Sequence, residues 1–266
     1  MELLKLVRKR SFLSEFVYTV LNIALAVAIL LAVRYTETIW LALVLVLLSK
    51  WRVFAVRPRF WWANVHSNIV DFIVSISVVI HMNTINISQL PEGQKMPLLI
   101  VMTALYVGWL LFVKPRSKRT YMVAQAGIAL FLGSAAPFTV GYAWPLSVVV
   151  LGMWVIGYAV VRHTLSAYDN ETHPLFLSLV GGLTVAEIAW VGYHWAIAYP
   201  VPTLPALMVP QISIILVLVA FLAYKLYDSF YHNSRIRPAD VLLPLLFTVS
   251  VLVIILTLFN GIPSVI

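Results

Sequence analysis

The chain has no cysteine among its 266 residues. Disulfides, cysteine-ligated iron–sulfur clusters and thiolate metal sites are therefore excluded. Charge is scarce too. Only 11% of residues are Asp, Glu, Lys or Arg, against about a quarter in a soluble domain. Acids are the scarcer kind, 10 against 18 bases. Several catalytic signatures are missing as well. There is no Gly-x-Ser-x-Gly elbow, no His-Glu-x-x-His and no phosphate-cradling glycine loop. No lysine of the retinal-binding kind lies in the middle of an apolar run, since Lys225 ends one. An intramembrane protease needs a serine–histidine or paired-aspartate arrangement, and the acids within the apolar runs stand at different depths. No constellation for catalysis and no cofactor follows from these residues.

What is abundant is apolar. Hydrophobic residues make up 62% of the chain, and the mean hydropathy is +0.97. Such a chain has too little polar surface to cover itself in water, whereas lipid makes no such demand. The relevant ruler is then the membrane span of roughly 20 apolar residues. Nine runs approach it: 16–34, 38–56, 66–82, 96–113, 120–137, 142–161, 175–198, 204–224 and 240–259. The second is the weakest, because its purely apolar part stops at Leu48 and Lys50 must snorkel to the interface if the helix continues. The basic stretch Met1–Arg10 resembles a signal peptide's charged region. The run from Phe16 to Val33 is longer than a signal core, and no small-residue cleavage site follows, so a retained first helix is expected. The expected fold is all-α: a polytopic bundle of about nine spans, one domain over 1–266, with no loop able to hold a core of its own.

Orientation follows from the bases. If the N-terminus is cytoplasmic and the spans alternate, the clusters Lys5–Arg10, Lys50–Arg59, Lys114–Arg119, Arg162 and Lys225–Arg237 all lie inside. Only Arg34 and Lys95 lie outside. Sixteen against two is a strong positive-inside asymmetry, and it places the C-terminus, ending Ser264-Val265-Ile266, outside. The same asymmetry explains the net charge of +8, so no nucleic-acid partner is implied.

Two stretches carry a resemblance. One is Ala186-Glu187-Ile188-Ala189-Trp190 followed by Tyr193-His194-Trp195. The other is Arg57-Pro58-Arg59-Phe60-Trp61-Trp62 followed by Asn68 and Asp71. Both resemble a pattern in uncharacterised multi-pass membrane proteins of candidate-phyla bacteria. The resemblance implies a small protein of a bacterial cytoplasmic membrane and brings no catalytic residues.

Ionisable groups inside spans are costly and mark function or packing. Glu187 lies near the middle of the seventh run. By helical spacing it shares a face with Thr184, Trp190, Val191 and His194. One reading is a proton- or cation-binding carboxylate with His194 as relay. The other is a hydrogen bond to another helix. Asp71 belongs to a polar stripe with Asn64, Asn68 and Ser75, which suits either a wet vestibule or a helix start near Arg57 and Arg59. Gln211 follows the prolines at 200, 202, 205 and 210, where a broken helix would offer an ion site and a plain loop is the simpler expectation. Gln125, Ala129 and Gly133 form one packing seam, and Ser178, Gly182 and Ala186 another. Gly152, Gly157 and Pro145 are expected to pack likewise. Trp61, Trp62, Tyr142, Trp144, Trp195 and Tyr199 suit interfacial belts. His163, Asp169, Glu171 and His173 share an inner loop but fit no standard metal spacing.

Two classes of function follow. A small-solute or proton permease component would use Glu187, His194, Asp71, Thr184, Asn68 and Gln211 as a polar path. A non-catalytic scaffold or assembly subunit would bind partner helices, a second copy, anionic lipid or a cytoplasmic complex through its seams and basic inner loops.

Overall fold

The computed structural model describes residues 12–36, 38–141, 144–195, 197–201 and 204–259. Lys5–Arg10, Tyr142, Pro202 and Ser264–Ile266 lie outside them. The helices are α1 (Phe12–Tyr35), α2 (Ile39–Ser49), α3 (Trp51–Phe54), α4 (Trp61–Ile87), α5 (Glu92–Gly108), α6 (Arg119–Val140), α7 (Leu146–Leu165), α8 (Pro174–Tyr193), α9 (Gln211–Asn233) and α10 (Pro238–Leu258). Among the described residues eight helices, all but α2 and α3, are long and apolar enough to cross a membrane. The fold is an all-α polytopic bundle, and the chain is an integral membrane protein.

The second run departs from expectation. α2 holds 11 residues, about 16 Å of rise against a hydrocarbon core of about 30 Å. The Lys50 N–H closes on the Leu47 carbonyl at 3.0 Å, a three-residue turn that ends α2. α3 then begins at Trp51. The helix does not continue through Lys50, so the condition for its snorkelling does not arise, and Lys50 is buried at 5% exposure.

The contacts divide the chain into two compact units. One takes the described residues up to Asn64 together with Val78–Arg116. Here α1 lies against α2 and α5. Arg34 at the end of α1 donates to the Asn86 side chain at 3.2 Å and pairs with Glu92 at 2.5 Å. Lys95 pairs with the same carboxylate at 2.9 Å. The two bases that break the positive-inside pattern thus share one acid. Tyr18 fastens the other end of α1 by donating to the Leu110 carbonyl at 3.2 Å. α5 continues from Trp109 to Val113 as a π turn, in which the Lys114 N–H reaches the Trp109 carbonyl at 2.9 Å.

The other unit takes residues 65–77 of α4 and everything from 117 onward. Its closest pair is α7 with α8, and small residues make the approach possible. A methyl on Gly157 would fall 2.6 Å from Val185, and one on Gly182 would fall 3.0 Å from the Trp154 carbonyl oxygen. The expected seam Ser178-Gly182-Ala186 is buried here, extended by Ala189 and Gly192. Gln125, Ala129 and Gly133 are buried in α6 as expected. Gly152 differs from Gly157, being exposed with open space around it. It lies on the far side of α7 from the seam.

The proline-rich stretch is neither helix nor plain loop. β1 (Ala198–Val201) and β2 (Leu204–Pro210) form an antiparallel hairpin, with Ala198 opposite Pro210. Prolines at 200, 205 and 210 lack the N–H that a helix interior requires but are tolerated on strand edges. The expected runs 175–198 and 204–224 shift accordingly. α8 stops at Tyr193, α9 starts only at Gln211, and α9 then runs on to Asn233.

Candidate functional site

The residues singled out in the sequence do not meet. Thr184, Glu187 and His194 do share one face of α8, but that face is exposed, along with Leu183, Trp190 and Val191. Glu187 has no hydrogen-bond or ion-pair partner among the described residues. The Thr184 hydroxyl donates to its own helix, at the Val180 carbonyl (3.0 Å). The His194 ring packs edge-on against Trp190 and Tyr193 at 5.4 and 5.7 Å. His194 stands seven residues beyond Glu187, about 10 Å along the axis, so the two cannot share a proton directly. The expected path through the bundle is not formed by this face. The reason is steric, because α7 approaches α8 over its glycines and alanines, and Glu187 lies on the other side.

Asp71 is buried in α4 at 6% exposure, with Ser75 below it at 0%. The Ser75 hydroxyl donates to the Asp71 carbonyl at 2.7 Å. Asn68 is half-buried, and its amide donates to Ser67 at 3.1 Å. Gln211 is buried at 1% and acts as a clamp. Its amide donates to the Tyr199 hydroxyl (2.7 Å) and the Ile255 carbonyl (3.3 Å), while its N–H reaches the Ile197 carbonyl at 2.8 Å. It ties the hairpin, α9 and α10 together instead of offering itself to an ion. Two further polar pairs cross between helices of this unit, His66 with Tyr158 at 2.7 Å and His163 with Gln125 at 2.8 Å.

The densest polar constellation lies elsewhere, at the last turns of α9, and sequence reasoning missed it. Because α9 runs past 224, the segment Tyr224–Asn233 is helical and presents two working faces. Lys225, Ser229, His232 and Asn233 share one by the four-and-seven spacing, and Tyr227 and Tyr231 share the next. Asp228 stands between them. Its carboxylate pairs with Arg119 from the start of α6 and accepts from the Tyr168 hydroxyl at 3.1 Å. The Arg119 guanidinium lies 4.0 Å above the Tyr168 ring and approaches His232 Nε2 at 3.2 Å. His232 Nδ1 lies 2.8 Å from the Asp228 main-chain oxygen. A carbonyl accepts only from N–H, so Nδ1 carries the proton and Nε2 accepts from Arg119.

Tyr168 also meets Tyr227 and Tyr231 edge-to-face, at 4.8 and 4.7 Å. The Tyr227 hydroxyl donates to the Glu171 carboxylate, which also accepts the His173 N–H at 2.8 Å. The Tyr227 hydrogen bond, against some opposing desolvation, holds Glu171 below the ordinary carboxylate value. Burial pushes the Tyr168 hydroxyl upward in turn, so it remains a donor. Of the loop residues weighed as metal ligands, Glu171 and His173 are thus engaged in shaping the loop. Among the described residues no group of three His, Asp or Glu side chains is arranged to hold a metal.

Two clefts flank this end of α9. One, of about 400 Å³, opens toward the start of α10 and is lined by Lys225, Ser229, Arg237 and Asp240 among others. The other, of about 710 Å³, lies toward Asn170–His173 and the start of α8. The first has a firm floor. The Ser229 hydroxyl donates to Asp240 at 3.0 Å and accepts the Arg237 N–H at 3.0 Å, and the Asn233 amide donates to Asp240 at 3.3 Å. A binding cleft with charged walls is within the means of this arrangement. A nucleophile–base pair in an enclosed pocket is not among its features. No family model, no curated protein and no solved structure matches the chain.

Proposed function

We propose that this protein is a membrane-embedded assembly subunit, and that the outward face of α8 docks a spanning helix of another protein. The observation that carries this is Glu187. It lies six residues inside the end of α8, about 9 Å of rise, on an exposed face of leucine, valine and tryptophan, with no partner among the described residues. A carboxylate turned to lipid at depth costs up to about 3 kcal/mol. A neighbouring helix with a lysine, arginine, asparagine or glutamine at the same level removes that cost. Charge complementarity points to another protein and not to a second copy, because a parallel copy would oppose Glu187 with Glu187, and α8 itself holds no lysine or arginine. A cytoplasmic N-terminus, supported by the distribution of bases, and the bacterial cytoplasmic membrane that the sequence resemblance implies complete the reading.

The permease reading draws less support. Its residues are split between an exposed face of α8, the half-buried Asn68 and buried Asp71 of α4, and the Gln211 clamp of α9, and Glu187 bonds to none of them. Photo-crosslinking in native membranes tests the proposal. Probes at Leu183 and Val191 should capture one membrane protein, and a probe at Leu243 on α10 should not. Capture should persist in Glu187→Gln and fall about fivefold in Glu187→Leu, the equivalent of one interhelical hydrogen bond of about 1 kcal/mol. The captured protein should carry a donor side chain at that depth whose alanine replacement also weakens capture. Capture of the chain's own copy, or equal capture in Glu187→Leu, overturns the proposal.

A further inference from the structure

From the cleft between α9 and α10 we infer that this protein holds the phosphodiester of an anionic membrane lipid there. The charges around the cleft decide the ligand. Asp228 is neutralised by Arg119 and further bonded by Tyr168. His232 has both ring nitrogens engaged. Asn233 directs its amide at the Ser229 carbonyl and Asp240. The neutral donors are therefore occupied within the wall. Two cations are not. Lys225 has no carboxylate partner among the described residues, and its nearest interaction is the Tyr224 ring at 5.6 Å. The Arg237 guanidinium likewise has no acid partner among them. Against these two, Asp240 is the one lining acid without a cation, so the unneutralised groups sum to a net positive charge. An anion with hydrogen-bond acceptors on several sides suits that wall, and phosphate is such an anion.

Size and surroundings point to a lipid. About 400 Å³ equals a dozen or so water volumes at ~30 Å³ each, more than a phosphate needs and enough for its glycerol ester. Lys225 lies two turns inside the end of α9, half-buried, where its stem lies along the helix wall and its ammonium reaches the cleft. On the two helices that form the cleft and in the turn between them, Phe230, Ile236, Leu242 and Leu243 are exposed, by 55, 54, 56 and 76%, an apolar surface suited to acyl chains. The cleft stands among Lys225, Arg235 and Arg237 at one end of α9 and α10, and basic pockets between spans take anionic headgroups.

The test uses the full-length protein in mild detergent, with native mass spectrometry and thermal unfolding as readouts. Phosphatidylglycerol should remain bound and raise the unfolding temperature, while phosphatidylcholine should do neither. Lys225→Gln and Arg237→Gln should each weaken retention about fivefold. Arg235→Gln, a base outside the cleft, should leave retention unchanged. Unfolding temperatures of the lipid-free variants matching the parent show that the fold is intact. Equal retention of phosphatidylcholine, or undiminished retention in the double variant, overturns the inference. Inorganic phosphate that stabilises as well as phosphatidylglycerol does at equal concentration overturns it in favour of a free anion.

Discussion

Glu187 in α8 and Asp228 in α9 are both acids on apolar helices of the same unit, and the structure treats them oppositely. Asp228 gathers Arg119, Tyr168 and His232. Among the described residues Glu187 gathers nothing. The difference lies in what each helix can bring near. At the end of α9 the chain turns through polar loops, and long side chains from three segments reach the carboxylate. Along α8 the neighbours arrive over glycine and alanine, which bring backbones close but carry no donors. An acid opposite such a seam is left for another molecule to satisfy.

The seam offers the largest effect with which to sharpen this contrast. Gly182→Val places side-chain atoms against the Trp154 carbonyl and the Tyr158 backbone. It should cost about 3 kcal/mol by overpacking. Gly152→Ala, in open space, should be neutral or slightly stabilising, by up to about 1 kcal/mol. Reversible unfolding in detergent reads both, and equal effects would mean that α7 and α8 are not in close contact.

Next comes the comparison itself. Asp228→Ala strands Arg119 and removes the acceptor of Tyr168, and it should cost about 2 kcal/mol. The side chains of the pair are near 30% exposed, which keeps this below the ~3–5 kcal/mol of a fully buried pair. Glu187→Ala should change the stability of the isolated chain by less than about 0.5 kcal/mol. If the two variants unfold alike, the contrast between the acids fails.

The smallest effect is a pH dependence. Folding lowers the Glu171 carboxyl below its ordinary 4.5 through the Tyr227 hydrogen bond, so the folded state favours the deprotonated form. The resulting stability is fully present above about pH 4.5 and is lost as pH falls through the lowered value. Tyr227→Phe should flatten that acid limb of the unfolding profile. An unchanged limb would mean that Glu171 titrates freely.

Much of the fold is legible in the sequence because lipid imposes a simple rule. Every backbone group must bond within its own segment, so apolar runs of span length become helices. The seams are legible too, since small residues every fourth position have few other uses in a membrane. At 100° per residue, Glu187 lies about 180° around α8 from Ser178, so its outward placement is implicit in the spacing of seam and acid. The cluster at the end of α9 is less legible. Apolar scanning ends that helix at 224, because Lys225, Asp228, Ser229 and His232 look like loop residues. Three tyrosines at 224, 227 and 231, spaced three and four apart, are the signal that the helix continues.

The amino-acid order by itself determined that the chain spans a membrane many times, which residues allow close packing, and where the bases collect. Each depends on local composition and on the length of lipid to be crossed. Only the tertiary structure decided that Asp228 is satisfied and that Glu187 finds no partner among the described residues, that Lys50 is buried, and that Gln211 clamps a hairpin. Those outcomes depend on which side chains from distant segments arrive at the same point, and no local rule carries that information.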